Sequence, residues 1–134
     1  MSFRVEAKEP TVHISVDAKA HRFFQRPRSG QAILITILCN YGLPTEALAV
    51  EWCGLHEVTN DPAAVLMGEE RGVPIYAYAR VAVYAQWHPL RITTQGPGWW
   101  PALAIEGSED VLRDLVRWEH RHPGLAVAQP SPAA

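Results

Sequence analysis

The chain has little of what marks secreted, membrane or nucleic-acid-binding proteins. It has only two cysteines in 134 residues, so no disulfide framework is expected. It has almost no net charge: 12 basic and 14 acidic residues leave -2, which gives no bulk attraction for nucleic acid or an anionic membrane. Its longest strongly apolar run, Ala32 to Cys39, is far shorter than the ~20 residues that span a bilayer. We therefore expect neither nucleic acid nor membrane as a partner.

The two ends of the sequence differ from its middle. The start, Met1 to Glu6, lacks the apolar core of a signal peptide, so a reducing cytoplasm is the expected compartment. Residues 1–10 are polar and without period, and residues 123–134 are rich in proline and alanine, a composition that predicts flexible or disordered ends. Residues 11–122 are expected to form one domain, since a core of this size grows as a single unit.

The hydrophobic pattern predicts an α+β domain with small mixed or antiparallel β-sheets, an N-terminal helix and an added C-terminal helix. Its clearest feature is a long hairpin, in which Ala32 to Cys39 turns at Asn40–Pro44 and returns through Ala47–Trp52. Consecutive strands are expected to pair antiparallel, and Ser108 is the expected N-cap of the last helix. Residues 53–72 give a poor signal, with 63–67 a possible helical turn and 68–72 a charged loop. The predicted elements are strand 11–15, a helix from 17 to before 26, strands 33–38, 47–52 and 73–76, helix 80–87, strands 90–94 and 102–106, and helix 108–122.

This order of elements resembles the HesB-like fold of the A-type iron–sulfur carrier proteins over about residues 11–106. The most similar piece is the glycine-led run Gly72–Tyr76, with a short helical turn, Leu90–Ile92 and the closing strand Ala102–Ile105 behind it. The resemblance implies that Cys39 corresponds to the first of three cluster-binding cysteines. The second and third, a close pair beyond the last strand, are absent here. The chain thus resembles a divergent member that lacks the C-terminal cysteine pair.

Cysteine and histidine are the candidate metal ligands. Cys39 ends the most apolar strand, where a thiol is either a buried small hydrophobe or a ligand exposed at the turn. Cys53 and His56 form Cys-x-x-His, half of a zinc site with no second half in the sequence. If Cys39 lies opposite about Ala47 in the hairpin, the thiols of Cys39 and Cys53 are about 20 Å apart, too far for a shared metal. A metal at Cys39 therefore needs a second subunit, across a two-fold axis.

The tryptophans indicate a contact surface. Trp99 and Trp100 lie between Gly98 and Pro101 in a predicted loop, where two adjacent rings do not easily face one core. One interpretation is that they mark a dimer contact or a partner surface, since tryptophan is enriched at interface hot spots. The other is that both rings cover an open end of the sheet.

Two functions follow as hypotheses. The first is a non-catalytic binding or protein-interaction domain on a HesB-like fold, a homodimer or a domain with a protein partner, in which cofactor binding is lost. The alternative is an iron, iron–sulfur or zinc protein related to cluster assembly that uses Cys39 at a subunit interface. No enzyme is expected, because no nucleophile, orienting acid or phosphate-binding loop is recognisable. An iron or iron–sulfur cofactor and the absence of any cofactor are equally compatible with the sequence.

Overall fold

A computed structural model describes residues 14–24, 29–39, 46–96 and 102–123, with the backbone alone at residue 39. These residues form seven strands and four α-helices, which confirms the α+β class. No described helix is long and apolar enough to cross a membrane. The elements are β1 (Ile14–Val16), α1 (Ala18–His21), followed by a 3-10 turn (Arg22–Phe24), β2 (Gln31–Cys39), β3 (Glu46–Gly54), α2 (Leu55–Thr59), β4 (Ala64–Glu70), β5 (Val73–Tyr78), α3 (Ala79–Ala85), β6 (Leu90–Gln95), β7 (Ala102–Ile105) and α4 (Ser108–Arg121).

The strands form two mixed sheets, one of three strands in the order β1-β6-β7 and one of four in the order β3-β2-β5-β4. The sequential neighbours β2/β3, β4/β5 and β6/β7 pair antiparallel, as expected. The expectation was incomplete, however, because β1 pairs with β6 and β2 pairs with β5 in parallel. Parallel pairs join strands that are distant in sequence. A prediction that pairs only consecutive strands therefore misses them.

The predicted hairpin is confirmed, with its register moved by one residue. Cys39 lies opposite Glu46 rather than Ala47, and every position from Gln31 to Cys39 has a partner on β3. The pairing continues two residues beyond the predicted end at Trp52, to Gly54. Because side chains alternate across a sheet, this register places alternate β2 residues on opposite faces.

One face of the four-stranded sheet, called the inner face here, carries the main core. Ile33 and Ile35 on β2 lie opposite Ile75 and Ala77 on β5, and all four side chains are fully buried. They join one cluster with residues of α3, α4 and the other sheet. Each buried isoleucine contributes roughly 1.5–3 kcal/mol through removal of its surface from water, so this face supplies much of the fold's stability.

The opposite, outer face is crossed by α2. β3 and β4 lie at opposite edges of the sheet and run in the same direction, so the segment between them passes over the sheet. Val58 of α2 and Ala32 of β2 are buried outside the main core cluster. Further along, Asp61 accepts a hydrogen bond from Tyr78. The crossing leaves Leu38 and Leu66 about half exposed on this face.

Helices α3 and α4 cover the inner side together. All five residues from Val81 to Ala85 are buried, so α3 is a core helix. At its first turn the Arg80 guanidinium donates two hydrogen bonds of 2.9 Å to the carboxylate of Glu119 on α4 and a third of 3.4 Å to Glu46 on β3. This fork holds α3, α4 and β3 together at one point.

The segment 53–72 corrects two predictions. Residues 64–67 of the predicted helical turn 63–67, and residues 68–70 of the predicted loop 68–72, belong to β4, and Arg71 and Gly72 form the turn to β5. The sequence conceals this strand because β4 is an edge strand whose pairing shifts between Leu66 and Gly68. The shift breaks the alternation that identifies a strand.

The last helix confirms its predicted range and corrects its cap. Ser108 is the first helical residue, and the N-cap is Gly107 in the left-handed conformation with φ 64°. Glycine adopts this conformation without a Cβ penalty, which explains its place between β7 and α4. Glu109 and Asp110 lie in the first turn, as expected for acidic residues at the positive end of a helix.

Candidate functional site

The most exposed aromatic ring described lies where the chain leaves α3. Trp87 is 52% exposed, and its ring centroid lies 5.6 Å from that of Trp118 on α4, which is 5% exposed. The His122 ring stacks on Trp118 at 5.0 Å, and the His88 ring meets Trp118 edge-on at 6.2 Å. These four residues, Trp87, His88, Trp118 and His122, are called the aromatic patch below.

A buried tyrosine supports this patch from beneath. The Tyr84 hydroxyl donates a 2.5 Å hydrogen bond to the Asp114 carboxylate, and the Tyr84 ring stacks on His88 with centroids 4.4 Å apart. Burial, and then the bond to Asp114, raise the pKa of Tyr84 well above its ordinary value near 10. The phenol therefore keeps its proton at neutral pH and acts as a fixed donor. The bond therefore fixes the Tyr84 ring, on which the His88 ring stacks.

Sequence reasoning found only part of this patch. In the sequence, Trp118 continues an apolar stripe of the last helix, and His122 stands at the helix end, where a cation suits the negative pole. The structure adds that the His122 ring stacks on Trp118 and that its Nδ1 lies 2.9 Å from the Trp118 carbonyl oxygen. Their i, i+4 spacing was the available signal. Trp87 carried no signal, because only the fold of α3 against α4 brings it to Trp118.

The surroundings of Cys53 disfavour its thiolate form. Its thiol donates a hydrogen bond to the Ala32 carbonyl at 3.6 Å and is partly buried. Burial, reinforced by the charges of Glu57 and Glu51, raises the pKa of Cys53 above its ordinary value. Metals bind the thiolate, so these surroundings work against coordination.

His56 lies on α2, exposed, beside the start of the helix. Its ring lies against the backbone at the N-cap, where a Cβ added at Gly54 would come within 3.2 Å of it. Among the described residues, no group of three or more histidine, cysteine, aspartate or glutamate side chains is arranged to hold a metal ion. Cys53 and His56 thus gain no third ligand from this part of the chain.

The two cysteines are far apart, as the hairpin predicts. Cys53 lies opposite Ala32, and Cys39 lies seven residues further along β2. At 3.3 Å per residue their backbones are separated by about 23 Å. The side chain of Cys39 and the residues Trp99 and Trp100 lie outside the described part of the chain, so the roles assigned to them stay predictions.

A recess lies at the start of α4, apart from the aromatic patch. It has a volume of about 410 Å³ and is lined by Thr93 and Gln95 of β6 together with Glu109 and Asp110. The positive end of a helix favours anions, but here two carboxylates already occupy the first turn. These two carboxylates already interact with the positive end of the helix and would repel an anionic ligand in the recess.

Comparison with known proteins identifies no relative. A scan against protein-family models finds no match, and a search of curated proteins finds no similar sequence. The HesB-like resemblance accordingly stays a prediction from the order of elements. The candidate site rests on geometry alone, and within the described residues the aromatic patch is its strongest feature.

Proposed function

We propose that this protein is a non-catalytic protein-interaction domain whose binding surface is the aromatic patch. The supporting observation is the half-exposed Trp87, seated on the buried Trp118. A large aromatic ring held by a buried neighbour is a pre-ordered anchor, because little side-chain freedom is lost when a partner covers it. The other half-exposed apolar side chains, Leu38 and Leu66, are aliphatic and lie on the outer face, on different strands.

The chemistry of the patch also favours binding over catalysis. Tyr84 keeps its proton and Asp114 is engaged by it, so neither is available as a general base near neutral pH. What the patch offers is aromatic surface with polar edges, the composition typical of interface centres. No cofactor is needed for this role.

Site-specific photocrosslinking tests the proposal. With benzoylphenylalanine in place of His88, which adjoins Trp87, we expect a discrete adduct in cells. The adduct should disappear when Trp87→Ala is added. The matched control carries the crosslinker in place of Glu69, on the far edge of the outer face. Equal adducts from both positions, or an adduct that survives Trp87→Ala, would contradict the proposal.

Three sequence-based expectations belong to the same proposal: HesB-like ancestry, a cytoplasmic location and self-association through Trp99 and Trp100. If one of these rings anchors a homodimer, Trp100→Ala should lower the sedimentation coefficient at a given concentration. An unchanged sedimentation profile would remove the dimer and leave the aromatic patch as the contact surface.

Metal binding at Cys39 is the competing function, and no described side chain supports it. Metal and acid-labile sulfide analysis of protein purified without oxygen and again after reconstitution tests it directly. Stoichiometric iron that is lost in Cys39→Ser would establish the competing function. Colourless, metal-free protein under both conditions would leave the interaction domain as the function.

A further inference from the structure

We infer that the partner of the aromatic patch is an acidic segment of another protein, with carboxylates spaced about 6 Å apart beside an apolar side chain that covers Trp87. The inference rests on the proposed function and adds the chemistry of its partner. Its basis is a row of arginines on α4, the helix that carries Trp118.

The arginine row consists of Arg113, Arg117 and Arg121, which recur every fourth residue and are all exposed. At 1.5 Å per residue, neighbours in the row are about 6 Å apart along the helix. Arg113 pairs with Asp110 at 2.9 Å. Arg117 and Arg121 form no ion pair with any described residue, so two cations of the row are uncompensated.

The arginine row adjoins the aromatic patch. Arg121 follows Trp118 by three residues, so the two are neighbours on the helix surface, one turn apart. Arg117 precedes Trp118 and lies one turn before Arg121. Tryptophan and arginine are the residue types most enriched at interface hot spots. Trp87 lies on Trp118, and the helix of Trp118 carries two arginines that form no ion pair within the described residues, so the side of α4 around Trp118 combines an apolar anchor with a charge preference.

The spacing determines the partner's chemistry. Carboxylates four residues apart on a helix, or two apart on a strand, repeat every 6–7 Å, which matches the distance from Arg117 to Arg121. Arginine binds carboxylates through two parallel hydrogen bonds. A second copy of this chain is disfavoured in a face-to-face arrangement, because it would place the two arginine rows against each other.

A peptide titration tests the inference. The probe is a fluorescein-labelled helical peptide of about fifteen residues, long enough to form a helix, with glutamate at every fourth position and one phenylalanine. The control peptide has lysine in place of glutamate. We expect the glutamate peptide alone to raise the anisotropy, with an affinity that falls as salt increases.

Two matched variants separate local recognition from net charge. Arg117→Glu with Arg121→Glu should weaken binding of the glutamate peptide roughly tenfold or more, because two attractions become repulsions. Lys19→Glu with Arg22→Glu changes the net charge equally, on α1 and the 3-10 turn that follows it, and should have little effect. Equal losses in both variants, or equal binding of the lysine peptide, would overturn the inference.

Three further outcomes are decisive. In the first, Trp87→Ala weakens binding of the glutamate peptide but the double variant Arg117→Glu with Arg121→Glu does not. This result would refute the acidic partner and leave the aromatic patch as the binding surface. In the second, the double variant of Arg117 and Arg121 weakens binding but Trp87→Ala does not. This result would support the acidic partner and refute the aromatic patch as the anchor. A single-stranded oligonucleotide that binds as tightly, with the same dependence on Arg117 and Arg121, would overturn the assignment to a protein segment.

Discussion

The helices α2 and α4 cover different sides of the domain and expose different charged groups. α2 and the outward positions of β3 and β4 hold no lysine or arginine among the described residues. The carboxylates there are Glu51, Glu57, Asp61 and Glu69. α4 exposes its arginine row beyond the first turn. The same helix carries Glu109, Asp110, Asp114 and Glu119, so the arginine row is a local feature that the net charge of -2 does not reveal.

The two sides also differ in how their aromatic residues are held. Near α2, Tyr78 is bonded to Asp61 at the margin of a covered face. Near α4, Trp87 is half exposed on a buried support. The α2 side thus covers its face in part and leaves two leucines half exposed, while the α4 side presents an aromatic ring on a buried support. The small net charge of the chain excludes long-range attraction to a polyanion, but it does not describe the charges on one face of one helix.

The largest expected effect distinguishes the packing on the two sides. Trp118→Ala should lower the free energy of unfolding by about 3–5 kcal/mol, because a buried tryptophan leaves a cavity. Val58→Ala on α2 should cost about 1.5–2 kcal/mol for the two methyl-sized groups lost. Urea denaturation of both variants checks this. Equal losses would mean that the aromatic side is no more tightly packed than the α2 side.

The next effect is the hydrogen bond beneath the patch. Tyr84→Phe should cost about 1–2 kcal/mol, since the carboxylate it serves is partly exposed. Because folding raises the pKa of Tyr84, its contribution is complete below the ordinary phenol pKa near 10. The contribution is then lost as the pH rises through the raised pKa of the folded state. The native protein should therefore lose stability above pH 10 more steeply than Tyr84→Phe. Parallel pH profiles for the two proteins would refute this assignment.

Thr36 on the outer face has a buried hydroxyl whose hydrogen-bond partner is not among the described residues. Its Oγ1 forms no hydrogen bond within the described residues. Thr36 is also the one polar residue that is buried in the described part of the chain. Thr36→Val keeps the shape and removes the hydroxyl, so we expect a gain of about 1 kcal/mol in the free energy of unfolding. A loss of similar size would show that the hydroxyl has a bonding partner in solution.

The smallest effect is one of reactivity. In a Cys39→Ser background, native Cys53 should react with iodoacetamide more slowly than in unfolded protein at pH 7.5. The reason is that burial and two nearby carboxylates raise its pKa and reduce the thiolate fraction. The rate in urea is the control. A native rate equal to the unfolded one would restore Cys53 as an accessible ligand.

The sequence predicted what depends on local pattern. The β2–β3 hairpin and α4 follow from continuous apolar runs and helical spacing, and both are confirmed. β4 was missed because a shifted register interrupts its alternation. The parallel pairs β1/β6 and β2/β5 were missed because they depend on tertiary structure. The same reason applies to the aromatic patch, since Trp87 and Trp118 are 31 positions apart in the chain.

The central claim is that Trp87 serves binding and Trp118 serves folding. The most direct test measures the free energy of unfolding and the affinity for the glutamate peptide in Trp87→Ala. We predict a loss of only about 1–2 kcal/mol in stability, because the ring is half exposed, and a fall in affinity of roughly tenfold or more. A stability loss of about 3–5 kcal/mol, as large as that of Trp118→Ala, with unchanged affinity would contradict the account.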